Sequence, residues 1–275
     1  MIQGMHNPMS RLATRFEQLK SQQRKALVSY VMAGDPVPHV TVPLLHRMVE
    51  AGVDVIELGL PFSDPMADGP VIALAAERAL AGGTNTLDAL NMVKEFRETD
   101  QETPVVLMGY LNPVEVIGYE QFVSTAKACG VDGILLVDLP PEESDRLVTI
   151  LKQHEMDQIF LLAPTSTDQR IQHVVKQASG FIYYVSLKGV TGAASLDVAA
   201  AAERIEKIKK ATDVPVGVGF GISDAASAKA MGSVADAVIV GSAFVKTFAT
   251  LAPEQAVEQT VNKVKELRAA LDESV

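Results

Sequence analysis

Two carboxylates and two glycine-bearing segments are the groups in this chain whose types and spacing could do chemistry. Glu57 stands in Val53-Asp54-Val55-Ile56-Glu57-Leu58. An extended backbone sends successive side chains to opposite faces, so Val53, Val55 and Glu57 share one. A carboxyl flanked by Ile56 and Leu58 near a strand end is partly desolvated. Loss of water disfavours the charged form, raises the pKa and suits the group to proton transfer. The competing reading of Glu57 is a structural carboxylate, ion-paired or hydrogen-bonded. Asp68 lies in the Pro- and Gly-rich stretch 61–70, where an isolated aspartate is ordinary turn chemistry. Its interest is that the stretch leaves the same strand as Glu57, so the two could flank one ligand. Carboxyls in unlike environments can divide acid and base roles. Asp64, next to Ser63, reads as structural or partner-facing.

Gly219-Phe220-Gly221 and Gly241-Ser242 close the last two apolar runs. Glycine lets backbone N–H groups approach an anion, and Ser242 can cap a following helix while donating its hydroxyl. These features fit a phosphate site and also fit plain turns. Gly189-Val190-Thr191-Gly192, followed by Ala193-Ala194-Ser195, suits a lid over a site or an ordinary flexible loop. Lys188 is the one lysine in a candidate active loop, and no lysine has a defensible Schiff-base setting. The histidines at 6, 39, 46, 154 and 173 are scattered, mostly on helical stretches. None has metal-ligand spacing, so no metal is expected. The single cysteine, Cys129, ends a helical pattern and reads as a small buried hydrophobe. It leaves no intrachain disulfide, as in a reducing cytosol.

The elements that must position these groups alternate regularly. Apolar, β-branched runs occur at Leu27–Val31, Val53–Leu58, Val105–Met108, Gly133–Val137, Gln158–Leu162, Phe181–Val185, Val216–Val218 and Ala237–Val240, eight in all. They are near-continuous rather than alternating, as in parallel strands covered on both faces. Helical periodicity fills the intervals at Val40–Ala51, Leu87–Arg97, Glu120–Ala128, Glu142–Gln153, Asp168–Ala178, Val198–Lys210 and Asp224–Ala230, and again at Glu254–Leu271. Thr167-Asp168 and Ser223-Asp224 read as N-terminal caps, and Gly52 and Gly130 as C-terminal stops. Strict βα alternation predicts a parallel sheet with right-handed crossovers, and eight units predict an α/β (β/α)8 TIM barrel in a single domain over 1–275. The rival is an open doubly wound sheet, weakened by the absence of GxGxxG after the first strand. An extra N-terminal helix, Arg11–Gln22, is expected at the barrel bottom, and another, Val71–Leu80, in the long second connection. Active residues of such barrels project from the C-terminal ends of the strands, where the groups above fall.

The chain has 275 residues, 48% of them hydrophobic and 21% charged, which excludes the disordered class. A net charge of -10 makes nucleic acid a poor partner, while a phosphorylated small molecule can still bind locally. No apolar run reaches the ~18 residues of a membrane span, and Met1–Ser10 lacks a signal core, so a cytoplasmic protein is expected. Physical reasoning from the residues stops at a phosphate-ligand barrel enzyme with carboxylate acid–base catalysis.

The fifteen-residue run Ile56-Glu57-Leu58-Gly59-Leu60-Pro61-Phe62-Ser63-Asp64-Pro65-Met66-Ala67-Asp68-Gly69-Pro70 closely resembles the signature of tryptophan synthase α subunits. Ala33-Gly34-Asp35-Pro36, Tyr110-Leu111-Asn112-Pro113, Val137-Asp138-Leu139-Pro140, Tyr183-Tyr184-Val185-Ser186, Gly189-Val190-Thr191-Gly192 and Gly217-Val218-Gly219-Phe220-Gly221-Ile222 follow in the family's order. The resemblance implies retro-aldol cleavage of indole-3-glycerol phosphate to indole and glyceraldehyde 3-phosphate. It makes Glu57 the proton shuttle and Asp68 the partner of the indole N–H. It places the indole pocket on Tyr30, Met108, Leu135 and Phe220, with Tyr183 beside Glu57. The phosphate would sit on Gly192, Gly221, Gly241 and Ser242, and Thr191 would be the lid threonine that reaches Asp68. Two departures stand out: Tyr30 replaces a phenylalanine common in the family, so its hydroxyl needs a partner, and Leu187-Lys188 replaces an arginine followed by a small residue. The resemblance also implies a pyridoxal-phosphate β subunit as partner in an α2β2 complex, docked around 61–64, Asn112 and Pro140. No cofactor then belongs to this chain. The alternatives are a lyase that works without a β partner and a barrel that only binds or regulates one.

Overall fold

A computed structural model describes residues 10–186, 198–219 and 221–273. The apolar runs form strands because each can bury both faces at once. The strands are β1 (Ala26–Met32), β2 (Val55–Gly59), β3 (Val105–Gly109), β4 (Gly133–Leu136), β5 (Asp157–Gln158), β6 (Phe160–Leu162), β7 (Ile182–Val185), β8 (Val216–Gly219) and β9 (Ala237–Val240). All pairings are parallel, in the order β5-β4-β3-β2-β1-β9-β8-β7-β6. β5 and β6 are the two halves of the fifth predicted strand, split at Ile159. The first half pairs with β4 and the second with β7. Ile159 donates its N–H to the Ile134 carbonyl at 2.9 Å and joins the two. The split is a consequence of closure, because strands tilt and stagger as a barrel shuts and one strand meets its two neighbours at different heights.

The helices are α1 (Arg11–Ser21), α2 (Thr41–Glu50), α3 (Pro70–Ala81), α4 (Thr86–Phe96), α5 (Leu111–Ile117), α6 (Tyr119–Ala128), α7 (Asp145–Gln153), α8 (Asp168–Gln177), α9 (Val198–Lys209), α10 (Ala225–Gly232), α11 (Ser242–Phe248) and α12 (Pro253–Asp272). Local chemistry sets their ends. Thr167 accepts the Arg170 N–H, Asp224 forms a capping box with Ser227, and Asn85 forms another with Asp88. Gly52 and Gly130 end helices at φ of 109° and 91°, a region only glycine enters cheaply. The helix expected from Glu142 begins later, at Asp145, behind a 3-10 turn at Pro141–Glu143. α5 and α11 are 7 residues each, too short to show a helical period in the sequence.

The strands separate two apolar layers. Outside, helices pack on the sheet through residues such as Leu45, Met48, Phe96, Phe122 and Phe244. Inside, Val28, Val55, Val106, Leu135, Ile159, Phe181 and Ile239 fill the barrel. α1 closes the bottom with Leu12, Phe16 and Leu19, and the Phe16 ring lies 6.0 Å from that of Phe181. At this end an aspartate in front of a strand repeatedly accepts an N–H from the start of the strand before it: Asp54 from Leu27, Asp132 from Val105, Asp236 from Val216. Each also meets a cation, Arg268, Arg97 and Lys209 respectively. The bottom is thus sealed by packing and ion pairs, and the opposite end is left for the ligand.

Candidate active site

Above the apolar filling lies a cavity of about 320 Å³. Glu57 lines it from the middle of β2, side by side with Tyr30 of β1 and Val106 of β3. The carboxyl is 1% exposed, and among the described residues neither oxygen has a hydrogen-bond partner. Burial alone therefore pushes its pKa up to about 8. Buried, and with no cation beside it among the described residues, the acid favours its neutral form at neutral pH and can give a proton to a bound ligand.

Two tyrosines flank it, each admitted by a glycine. A Cβ on Gly59 would stand 2.3 Å from the Tyr30 hydroxyl, and one on Gly219 would stand 2.4 Å from that of Tyr183. Burial raises both phenol pKa values, and the charge of Glu57 adds to each. Asp68 raises Tyr30 as well, so that hydroxyl feels both carboxyls. No described side chain hydrogen-bonds it.

Asp68 reaches the cavity from the last turn before α3, its N–H donated to the Pro65 carbonyl at 3.0 Å. Burial raises its pKa, and the nearby Tyr110 hydroxyl partly offsets the rise. The two carboxyls thus sit in different surroundings, one bare and one supported. Met108, Gly221, Gly241 and Ser242 line the same cavity, the last three just beyond β8 and β9. Gly221 has φ 78°, and a side chain at Gly241 would press on the Tyr30 ring, with Cβ 3.2 Å from the Tyr30 Cβ.

Leu135 lies elsewhere: it is fully buried in the barrel filling, and Val137, two residues on, lines the cavity instead. Thr191, Gly192, Phe220 and Lys188 lie outside the described residues. Leu161, Val185, Ile222, Ile239 and Ile72 complete the apolar lining and are not singled out by sequence reasoning. A signal for three of them was present. Val185 follows Tyr183 by two, Ile239 precedes Gly241 by two, and Leu161 follows Ile159 by two, the period of one strand face. Among the described residues no group of three or more His, Cys, Asp or Glu side chains could hold a metal ion, and no helix is long and apolar enough to cross a membrane.

A closed parallel barrel whose cavity holds a buried acid from the middle of β2 and a second carboxyl from the loop beyond it has the arrangement of a (β/α)8-barrel enzyme equipped for acid–base chemistry. The family model described as tryptophan synthase alpha chain matches residues 16–275. Over 267 residues the chain is 88% identical to the tryptophan synthase alpha chain of Acinetobacter baumannii, covering 97% of this chain and 100% of that one. It is 58% identical to that of Nitrosococcus oceani, covering 96% and 98%. The crystal structure of tryptophan synthase subunit alpha from Legionella pneumophila superposes with a TM-score of 0.88 at 42% identity, covering 96% and 99%. The chain belongs to the tryptophan synthase alpha chain family. It is an enzyme subunit of tryptophan biosynthesis, a lyase that cleaves indole-3-glycerol phosphate to indole and glyceraldehyde 3-phosphate, and it implies a β-subunit partner.

Proposed function

We propose that Glu57 and Asp68 divide the work of this cleavage. Glu57, neutral when the substrate enters, protonates indole C3 and leaves an indolenine with positive charge on nitrogen. The Asp68 carboxylate accepts the indole N–H and stabilises that charge. The ionised Glu57 then helps remove the proton of the glycerol hydroxyl next to C3. The C–C bond breaks, its electron pair returns to the ring as indole, and the aldehyde of glyceraldehyde 3-phosphate is left. Such electrostatic help is strongest in a closed, dry site.

The observation that carries this reading is the bare Glu57 carboxyl in the cavity wall, buried with both oxygens unpartnered among the described residues. A structural carboxylate would have a cation or donors on it. Tyr30 and Met108 would hold the indole together with Phe220, with Val137 standing in the cavity wall where Leu135 was expected, and Tyr183 would orient Glu57. Gly192, Gly221, Gly241 and Ser242 would hold the phosphate, with Thr191 closing over Asp68. We place pyridoxal phosphate in the β partner and no cofactor in this chain, and we propose an α2β2 assembly in the cytoplasm.

The test is indole release from indole-3-glycerol phosphate with and without a β subunit. The unaltered chain should be slow alone and accelerated by its partner. Glu57→Gln should keep ligand binding and lose most turnover, and near-normal turnover would overturn the assignment. Full activity without a β chain would favour a lyase that needs none.

A further inference from the structure

We infer that Arg78 is a positioning residue for this reaction: its two-point bond to Asp35 fixes the roll of α3 and, through it, the part of the cavity wall that α3 supplies. The inference rests on the proposal above that this cavity takes indole-3-glycerol phosphate.

α3 follows directly on Asp68 and Gly69, and Pro70, Val71 and Ile72 of its first turn line the cavity. Arg78 lies seven residues beyond Val71. At 3.6 residues per turn that is close to two full turns, so Arg78 shares the face that meets the cavity. On the same side Ala75, Ala76 and Ala79 are buried against Tyr30, Met32 and Val245. Helices hold their register by seating side-chain ridges in grooves, and methyl groups make low ridges. The alanine face lets α3 sit close to β1 and α11, but by itself it resists rolling and sliding weakly.

Arg78 supplies the grip that the alanines lack. Its Nε donates to one Asp35 oxygen at 2.7 Å and its Nη2 to the other at 2.9 Å. Two parallel bonds to one carboxylate fix an orientation as well as a distance. The seat is itself held. Asp35 is buried, its N–H donates to the Met32 carbonyl at 3.3 Å, and the Gly34 N–H donates to the Thr41 hydroxyl at 3.0 Å. Thr84, just beyond α3, packs onto Gly34, where a Cβ would stand 2.0 Å from the threonine Oγ1. The far end of α3 is thus docked on the turn after β1. The near end has a separate tie, from the Ala67 N–H to the Tyr110 hydroxyl at 3.0 Å. Loosening the far end should therefore roll the wall at 70–72 more than it displaces the turn that carries Asp68, and should disturb the fit of the ligand more than the chemistry.

The experiment is steady-state indole release, saturated with β subunit, for the full chain, Arg78→Lys, Ile72→Ala in the wall and Arg268→Lys at the opposite end of the barrel, with a thermal melt of each. Arg78→Lys keeps a cation on Asp35, so no buried carboxylate is orphaned, but it replaces the fork by a single ammonium. It should raise KM for indole-3-glycerol phosphate about tenfold and change kcat less than about threefold. Ile72→Ala should raise KM as well, and Arg268→Lys should leave KM unmoved. A purely structural role for Arg78 would instead lower the melting temperature and kcat, through a smaller folded fraction, at unchanged KM. An unmoved KM in Arg78→Lys beside a raised KM in Ile72→Ala would overturn the inference and leave the site standing, and so would an equal rise in Arg268→Lys. An unmoved KM in both Arg78→Lys and Ile72→Ala would overturn the reading of the cavity and the inference with it.

Discussion

Glu57 couples catalysis to stability at a single residue. Its carboxyl ionises near pH 4.5 in an unfolded chain and near 8 in the barrel, raised by burial. Between those values the folded state keeps a proton that the unfolded state has lost, so stability falls as pH rises through the window and levels off above about 8. Below 4.5 both states are protonated and the penalty vanishes. Glu57→Gln cannot ionise. Its stability relative to the unaltered chain should therefore rise by roughly 2–4 kcal/mol between pH 5 and pH 9, read by urea denaturation at both pH values. A difference that does not change with pH would mean the acid is solvated in the folded state. The same residue should impose a basic limb near pH 8 on kcat/KM, because the proton it donates is then lost.

The strands place these groups by what they omit. Gly59 ends β2 and Gly219 ends β8, and each leaves the space that a tyrosine ring from the neighbouring strand occupies. Gly59→Ala would put a methyl 2.3 Å from the Tyr30 hydroxyl and 2.7 Å from the ring carbon bearing it, so the ring must swing. The backbone at Gly59 does not have positive φ, so the strand itself should tolerate alanine. Activity should fall by about tenfold or more while thermal stability drops by only about 1–3 kcal/mol, the usual cost of overpacking. Tyr30→Phe in the same chain should recover part of the loss, since the nearest clash is with the hydroxyl. Steady-state kinetics and thermal melts of the single and double variants decide the matter, and no recovery would place the damage in the strand.

For the molecule as a whole, closure depends on joining its two ends. Arg268 of α12 bonds Asp54 at 2.9 Å and the Lys25 carbonyl at 2.9 Å, and Asp54 also accepts the Leu27 N–H. The last helix is thereby pinned to the entrance of the first two strands. Both charged side chains are nearly inaccessible, at 8% and 7%. Asp54→Asn removes one charge and leaves the buried guanidinium paired only with the half-exposed Asp272, so the cost should fall below that of a fully unmatched buried ion, at about 1–3 kcal/mol. Chemical denaturation should show that loss, with kcat nearly unchanged under conditions where the variant is folded, because the pair lies at the end opposite the cavity. An equal loss of kcat would mean that the two ends of the barrel are coupled.

Much of this molecule was legible before any coordinates. Apolar runs such as Leu27–Val31 must be covered on both faces, so eight of them alternating with helical patterns leave few solutions other than a closed parallel barrel. Strand periodicity put Glu57 on the face of Val55, and the motif from Ile56 to Pro70 carried the family. What the chain alone could not decide is what stands opposite each side chain. Whether Glu57 is paired or bare depends on neighbours delivered by other strands, Tyr30 over Gly59 and Tyr183 over Gly219. Whether Leu135 or Val137 meets the ligand depends on the height at which the barrel filling stops. The Tyr110 contact spans 43 residues, and the fifth strand divides only because closure staggers its partners. Periodicity is a property of one segment and is written locally. Desolvation and register arise between segments, and only the assembled barrel sets them.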